Sequence, residues 1–347
     1  MENEIFLIIL AVLSFSLLCW GFKVLPDERW QIMATVPVRK IDQNRWDGVN
    51  LTYYGVLSAN AYLASIVIML VLFGAIKIDI RATFVLILVM LVFCLPMARI
   101  LAMVVERKAH TRTVGGAVFV GTLVAPLAVM IVNKIMGPLV SIPIMPALAA
   151  LAISYSFGEG VGRLACISFG CCYGKPLSKC SFFLQMLFRK YNFIFSGRTK
   201  KIAYEGGLEG EHVIPVQAVT AVLYVMIGLI CTYLFLNSFY TFSFLLSVLV
   251  TQGWRFVSEV FRADYRGEGR ISAYQIMGIG AIIYSFILWK WLPDSRVTAN
   301  VMEGIRTLWQ PEVIIFLLLL WLGVFLHTGC SKVTGSIVSF HVHSDRI

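Results

Sequence analysis

Two segments of this sequence place arginine and glutamate at helical spacing inside long apolar runs. Glu159 and Arg163 are four residues apart, so a helix would bring both side chains to one face. Arg255, Glu259 and Arg262 recur with a similar period and form a charged stripe on a segment rich in phenylalanine and valine. The forked guanidinium of arginine suits a phosphate group, so both segments are candidates for binding an anion.

Each segment also has a purely structural interpretation. Arg163 would then extend from a helix end to the lipid headgroups, and the stripe around Arg255 would be an ion pair that locks two helices together. An ionisable residue inside a membrane costs about 2.5–3.5 kcal/mol on insertion scales, which favours a functional role. Residue types alone leave both interpretations open.

Four cysteines lie close together in the pattern C-x4-C-C-x7-C: Cys166, Cys171, Cys172 and Cys180. Zinc sites usually contain two paired C-x2-4-C units, so the spacing argues against one, and we expect neither a metal nor a cofactor. A reactive thiol needs a neighbouring cation, and Arg163 and Lys175 are close in sequence. A chemical role for Cys171 or Cys172, a structural disulfide and simple packing remain as alternatives.

The composition indicates which elements must position these residues. Of the 347 residues, 59% are hydrophobic and 14% are charged, against roughly 25% charged in a soluble domain. Lipid must therefore cover much of the surface, and a backbone in lipid must form helices or a closed barrel. The apolar runs are continuous and not alternating, which indicates helices.

We predict an all-α, polytopic integral membrane bundle of about eight or nine transmembrane helices. The expected spans cover residues 5–22, 51–76, 82–105, 114–136, 140–158, 215–236, 239–258, 271–291 and 311–330. A short polar arm, 159–214, would join two core helices, with an apolar patch at 182–188 in the membrane interface. Residues 23–50 and 331–347 are expected to be a polar connection and a polar tail.

The net charge of +10 is carried by lysines and arginines that lie between the apolar runs. In such positions they contact anionic lipid headgroups or fix the orientation of the helices. The sequence shows no basic stripe or stacking platform, so we expect membrane lipid and no nucleic acid as a partner.

Short motifs follow one another in an order that is informative as a whole. They are Tyr54-Gly55, Ala98-Arg99, the glycine-rich run 115–121, Gly162-Arg163 through Gly170 to Gly174, Pro215-Val-Gln217, the Arg255 stripe and Ser272-x2-Gln275. From about Leu51 to Ile283 this order resembles the prolipoprotein diacylglyceryl transferase family of bacterial inner-membrane enzymes. On this resemblance, residues 51–291 form the transferase-like core, and 1–50 and 292–347 are additions with one extra span each.

The resemblance implies a multi-pass enzyme of the bacterial plasma membrane. It would move a diacylglyceryl group from a phosphatidylglycerol-like phospholipid to the cysteine thiol of a prolipoprotein. The residues assigned to catalysis are Tyr54, Arg163, Arg255 and Glu259. Those assigned to substrate binding are Arg99, Glu159, Gly170, Cys171, Gly174, Arg262 and Gln275. The alternatives are a relative that uses another lipid or acceptor, with a cysteine nucleophile, and a lipid-binding protein without activity.

The sequence departs from the family pattern at groups that move protons. Val120 stands where the family has a histidine, and Cys171 stands where it has a glutamate. Cys166 and Phe169 replace two asparagines of the signature segment. The remaining candidates for the base are Glu259, His110, His212, a Cys171 thiolate and the substrate itself.

Charge and resemblance indicate opposite membrane orientations. The connections 23–50, 106–113, 159–214 and 259–270 hold most of the lysine and arginine, which would place that side in the cytoplasm. The resemblance implies that the signature segment faces outward. Both orientations stay open at this point.

Overall fold

The computed structural model describes the chain except for residues 107–113, 138–140, 265–270, 294 and 296. Within the described residues, eight helices are long and apolar enough to cross a membrane. The predicted polytopic helical bundle is therefore confirmed. His110, one of the candidate bases, lies outside the described residues.

The described residues form twelve helices. Their bounds are α1 (Glu2–Val24), α2 (Tyr53–Ala75), α3 (Ile80–Glu106), α4 (Val114–Met136), α5 (Ile144–Phe169), α6 (Phe182–Phe188), α7 (Lys201–Tyr204), α8 (Val216–Leu236), α9 (Tyr240–Phe261), α10 (Ala273–Trp291), α11 (Val301–Thr307) and α12 (Pro311–Gly329). Several begin where a polar side chain caps them: Thr52 accepts from the N–H of Gly55 at 3.4 Å, and Ser272 forms a capping box with Gln275.

Helix α5 lies at the centre of the bundle, where it packs against α2, α8 and α9. Its glycines allow the neighbouring helices to come close. A Cβ added at Gly158 would lie 2.8 Å from the Cβ of Ser65, and one at Gly160 would lie 3.0 Å from Cγ2 of Val225. Small residues serve the same purpose in membrane helix pairs generally, because they let backbones approach.

Helix α5 continues to Phe169, whereas the sequence analysis ended this span at residue 158. The glycines around Glu159 looked like a helix end, but they lie in a helix that is packed on several sides and are used for contact. Glu159 and Arg163 therefore lie inside the bundle and do not belong to the polar arm. This difference matters because it brings both side chains into contact with other helices.

A three-stranded antiparallel sheet, which the sequence analysis did not predict, joins the two ends of the chain. It contains β1 (Ile32–Lys40), β2 (Arg45–Thr52) and β5 (Cys330–Ser339), with β2 in the middle. The buried side chain of Asn50 connects the three strands: its Oδ1 accepts from Thr35 at 2.8 Å and from Ser336 at 2.6 Å. The supposed polar connection and polar tail thus contain regular structure.

The arm between α5 and α8 contains α6, α7 and a two-stranded sheet of β3 (Phe193–Ile194) and β4 (His212–Val213). It folds back over the end of α5. Lys200 is fully buried, and its Nζ donates to the carbonyls of Ser168 at 2.7 Å and Leu25 at 3.0 Å. A cation at this position complements the unpaired carbonyls at the C-terminus of α5.

Candidate functional site

Arg163 and Arg255 come from separate helices and share one carboxylate. On α5, Glu159 Oε1 pairs with Arg163 Nη2 one turn further along. From α9, Arg255 Nη2 lies 3.5 Å from the same oxygen. The three side chains are only 11–12% exposed, so solvent has little access to them. The two guanidinium groups therefore meet at one carboxylate, and we call these three residues the arginine cluster.

The arginine cluster has spare hydrogen-bond donors and spare positive charge. Arg163 Nε and Arg255 Nη1 are buried without a hydrogen-bond partner among the described residues. An unsatisfied buried polar group costs about 1–3 kcal/mol, and more when the group is charged. Two guanidinium groups face a single carboxylate, which leaves one net positive charge. An anion such as a phosphate would satisfy both the donors and the charge.

The beginning of α4 lies close to Arg255. A Cβ added at Gly115 would lie 3.0 Å from Arg255 Nη1 and 2.8 Å from Cδ1 of Tyr274. Any side chain at this position would therefore press against the nitrogen that has no partner. The first glycine of the glycine-rich motif therefore lets α4 pack closely against this guanidinium group.

Glu259, one turn further along α9 from Arg255, pairs with Arg262. Its Oε1 lies 3.9 Å from Arg262 Nη1. Arg262 also donates to both carboxylate oxygens of Asp264, at 2.8 and 2.7 Å. Glu259, Arg262 and Asp264 thus form a second charged cluster at the end of α9. The stripe on α9 is split, because Arg255 pairs with Glu159 on α5 instead. The role of Glu259 in catalysis stays a prediction.

Two other predicted substrate-binding residues have structural partners. Gln275 accepts from the N–H of Ser272 at 2.9 Å and donates to the carbonyl of Phe256 at 3.1 Å, so both ends of its amide are used. A Cβ at Gly174 would overlap the carbonyl oxygen of Ile214. These contacts explain both residue types without a substrate, and their roles in binding stay predictions.

The remaining candidates lie in different surroundings. The Tyr54 ring at the start of α2 packs 5.5 Å from the Phe169 ring at the end of α5. Arg99 is exposed on α3. His212 is exposed on β4, with its Nδ1 2.7 Å from Oδ1 of Asn192. Val120 is buried on α4, and its hydrocarbon side chain exchanges no proton.

Three of the four clustered cysteines converge at the end of α5, and we call Cys166, Cys171 and Cys172 the cysteine trio. Their Sγ atoms all lie within 4.8 Å of one another. Gly170, with φ of 72°, ends the helix in a Schellman motif: the N–H of Cys171 donates to the carbonyl of Cys166 at 3.0 Å. This motif brings the residues on its two sides into contact, so the helix cap itself places Cys171 against Cys166.

The other contacts of this loop hold the trio in place. Gln217 Nε2 on α8 donates to the carbonyl of Cys171 at 2.8 Å. Hydrogen bonds with Cys166 and Cys172, together with burial, raise the pKa of the Cys171 thiol well above its usual value. A thiol with a raised pKa favours its protonated form, and the role of Cys171 as the base stays a prediction. The fourth cysteine, Cys180, lies apart and donates to the carbonyl of Pro176 at 3.3 Å.

Tyr155 belongs to the site, although it is not among the residues predicted from the sequence. It precedes Glu159 by four residues on α5, and it interacts electrostatically with Glu159, Arg163 and Arg255. Its ring packs edge-on against Tyr224 at 6.0 Å. The signal was present in the sequence, because Tyr155, Glu159 and Arg163 recur every four residues along one helix face.

Comparison with known proteins adds one positive finding. A family model described as prolipoprotein diacylglyceryl transferase matches residues 45–291, more than two thirds of the chain. The matched range contains both the arginine cluster and the cysteine trio. No curated protein matches the chain.

Proposed function

Because this chain belongs to the prolipoprotein diacylglyceryl transferase family, we propose that it takes the diacylglyceryl group of phosphatidylglycerol. The acceptor is the cysteine thiol of a bacterial prolipoprotein, and the reaction takes place at the plasma membrane. Residues 51–291 form the catalytic core in this proposal.

The observation that carries the proposal is the shared carboxylate of Arg163 and Arg255. Two guanidinium groups from α5 and α9 converge on Glu159, and each keeps a buried donor without a partner among the described residues. This arrangement suits the phosphate of an anionic lipid, since an arginine fork binds two phosphate oxygens at once. Helix α5, which carries Glu159 and Arg163, is long and apolar enough to lie in the bilayer that contains this lipid.

The arginine cluster also fits the charge changes of the reaction. The acceptor thiolate attacks the glycerol carbon bonded to the phosphate oxygen. A carbon–sulphur bond forms, the carbon–oxygen bond breaks, and glycerol phosphate leaves with the bonding electrons. Negative charge grows on the leaving oxygen, where fixed donors in a partly water-excluded site are most effective. Glu159 acts as a positioning residue that holds the two guanidinium groups together. Tyr54 packs against Phe169 at the C-terminal end of α5.

The test uses the full-length protein in liposomes of phosphatidylglycerol labelled in its acyl chains, with a lipobox peptide as acceptor. We expect the label to appear on the peptide cysteine. Arg163→Ala and Arg255→Ala should each lower the rate by about 100-fold or more, as loss of a fixed donor does elsewhere. Arg306→Ala is the matched control, because Arg306 is an exposed arginine paired with Glu303.

Three results would contradict the proposal. Folded wild-type protein that transfers no label would remove the activity. Transfer from phosphatidylethanolamine in place of phosphatidylglycerol would reject the donor. Undiminished rates in both arginine variants would reject the role of the arginine cluster.

A further inference from the structure

The cysteine trio has the dimensions of a thiolate metal site. Zinc binds sulphur at about 2.3 Å with tetrahedral geometry, which places neighbouring sulphurs about 3.8 Å apart. The three Sγ atoms lie within 4.8 Å of one another, so small side-chain rotations bring them to that spacing. Zinc sites that perform chemistry have three protein ligands and an open fourth position. The trio supplies that number of ligands.

The charges around the trio suit such a site. Arg163, Lys201 and Arg262 each interact electrostatically with at least one of the three cysteines. Three thiolates on a divalent ion leave a net charge of minus one, which these cations offset. Thiolates in a largely apolar bundle are otherwise costly, because burial penalises charge.

The backbone around the trio is fixed before any ion binds. The Schellman motif pairs Cys171 with Cys166, Gln217 holds the carbonyl of Cys171 at 2.8 Å, and the N–H of Ile202 donates to the carbonyl of Gly170 at 3.0 Å. Contacts of this kind, which orient the ligating residues, commonly change metal affinity by about 10- to 100-fold.

We propose that Cys166, Cys171 and Cys172 bind a zinc ion, and that its fourth position receives the thiol of the acceptor; the second part rests on the proposed function. Soft thiolate ligands select Zn²⁺ or Cu⁺. Three sulphurs complete the usual coordination of Cu⁺, whereas Zn²⁺ keeps one position for a fourth ligand. Zinc is therefore the ion that fits both the trio and a thiol acceptor.

The zinc site answers a question that the chemistry raises, namely how the acceptor becomes a thiolate when Val120 replaces the family histidine. A thiol that coordinates a metal ion loses its proton. The proton passes to solvent, the zinc-bound sulphur attacks the glycerol carbon, and the thioether product leaves the ion as a weaker ligand. No oxidant or reductant is needed.

The experiment loads the metal-stripped, full-length protein with Co²⁺ alone. We expect about one ion per chain, an absorption band from sulphur-to-cobalt charge transfer, and displacement of cobalt by Zn²⁺. Cys166→Ser, Cys171→Ser and Cys172→Ser should each abolish tight binding. Cys180→Ser is the matched control, since Cys180 lies in the same loop but outside the trio.

A second measurement uses the wild-type protein, so its result does not depend on whether a variant folds. Zn²⁺ should protect the three trio thiols, but not Cys180, from alkylation detected by mass spectrometry. A thiol-containing lipobox peptide should then shift the cobalt ligand-field spectrum, whereas its serine analogue should not. Less than stoichiometric binding, binding that survives in the trio variants, or a spectrum that ignores the peptide thiol would each overturn the proposal.

These outcomes are separate from the test of the proposed function. If cobalt binds and responds to the thiol while no diacylglyceryl group moves, the metal site stands and the transfer activity fails. If transfer proceeds in fully stripped protein that binds no metal, the transfer activity stands and the metal site fails.

Discussion

Arg255 on α9 reaches Glu159 on α5 at a distance of 3.5 Å. This contact joins two helices that are almost one hundred residues apart in the sequence, and it places two guanidinium groups side by side. The carboxylate separates charges that would otherwise repel each other. The behaviour of the cluster should therefore depend on whether a second anion is present.

The first prediction concerns Glu159→Gln, which removes the shared negative charge. Without lipid, the variant should lose about 3 kcal/mol or more of stability, because breaking a buried ion pair leaves uncompensated charge. Phosphatidylglycerol should restore more thermal stability to the variant than to wild type, whereas phosphatidylcholine should restore less. Thermal unfolding in mixed micelles measures this difference.

The control for this prediction is Glu303→Gln, which breaks an exposed pair with Arg306 whose atoms lie 3.0 Å apart. An exposed pair contributes about 0–1 kcal/mol to stability, so this change should hardly alter the melting temperature. Equal effects of the two substitutions would show that Glu159 bears no special relation to an anion.

Arg255→Lys keeps the positive charge but removes the planar fork. We expect kcat/KM for transfer to fall by about 10²- to 10³-fold, because a lysine cannot present the second donor that Arg255 Nη1 provides. Steady-state kinetics with labelled lipid checks this, with Arg306→Lys as the control. A change of less than threefold in the Arg255 variant would mean that charge alone is sufficient.

Gly55→Ala tests the contact between α2 and α12. An added Cβ at Gly55 would overlap the Cα of Gly329, and a backbone atom cannot rotate away. Overpacking of this kind typically costs about 1–3 kcal/mol, so the melting temperature should fall. Gly323→Ala on α12 is the matched control, because a Cβ there meets nothing within 4 Å. If both variants melt alike, α2 and α12 do not pack as described.

Lys200 should make stability depend on pH. Burial lowers the pKa of Lys200 to about 8 from its usual 10.5. Below pH 8 both folded and unfolded chains carry this proton, and the folded chain bears the full cost of burying the charge. Between about pH 8 and 10.5 the unfolded chain holds more protons, so this group makes stability rise with pH, by up to about 3 kcal/mol.

The comparison that isolates Lys200 is with Lys200→Met, which keeps the length of the side chain and cannot titrate. The difference in melting temperature between wild type and variant should move in favour of wild type from pH 7 to pH 10. Titration of the cysteines affects both proteins and cancels in this difference. Parallel curves would show that the pKa of Lys200 is the same in the folded and unfolded chains, which would contradict the prediction.

The helices and the Glu159–Arg163 pair could be predicted because their signals are local or periodic. Long apolar runs indicate spans directly, and the spacing of Glu159 and Arg163 places them on one helix face. The ion-pair partner of Arg255 could not be predicted from spacing along one helix. Glu259 was the obvious choice along α9, but Glu159 reaches Arg255 across the helix interface, and only tertiary packing decides between them.

The sheet and the cysteine trio could not be predicted for different reasons. The β2 and β5 strands are separated by most of the chain, so no local pattern connects them. The spacing of the cysteines looked wrong for a metal because the usual pattern assumes two paired units. The helix cap at Gly170 brings the thiols together without paired units, because it folds Cys171 back onto Cys166.

The joining of the two chain ends in one sheet has a consequence for biogenesis. Asn50 leaves the ribosome long before its partner Thr334, which follows 284 positions later. Until then β2 has strand β1 on one side and an open edge on the other, and such an edge invites pairing with other chains. Of the twelve helices that the described residues form, eleven, α2 to α12, emerge in the interval. A chain that ends just before residue 330 would therefore keep the eight candidate spans of the described residues and expose an unpaired edge of β2.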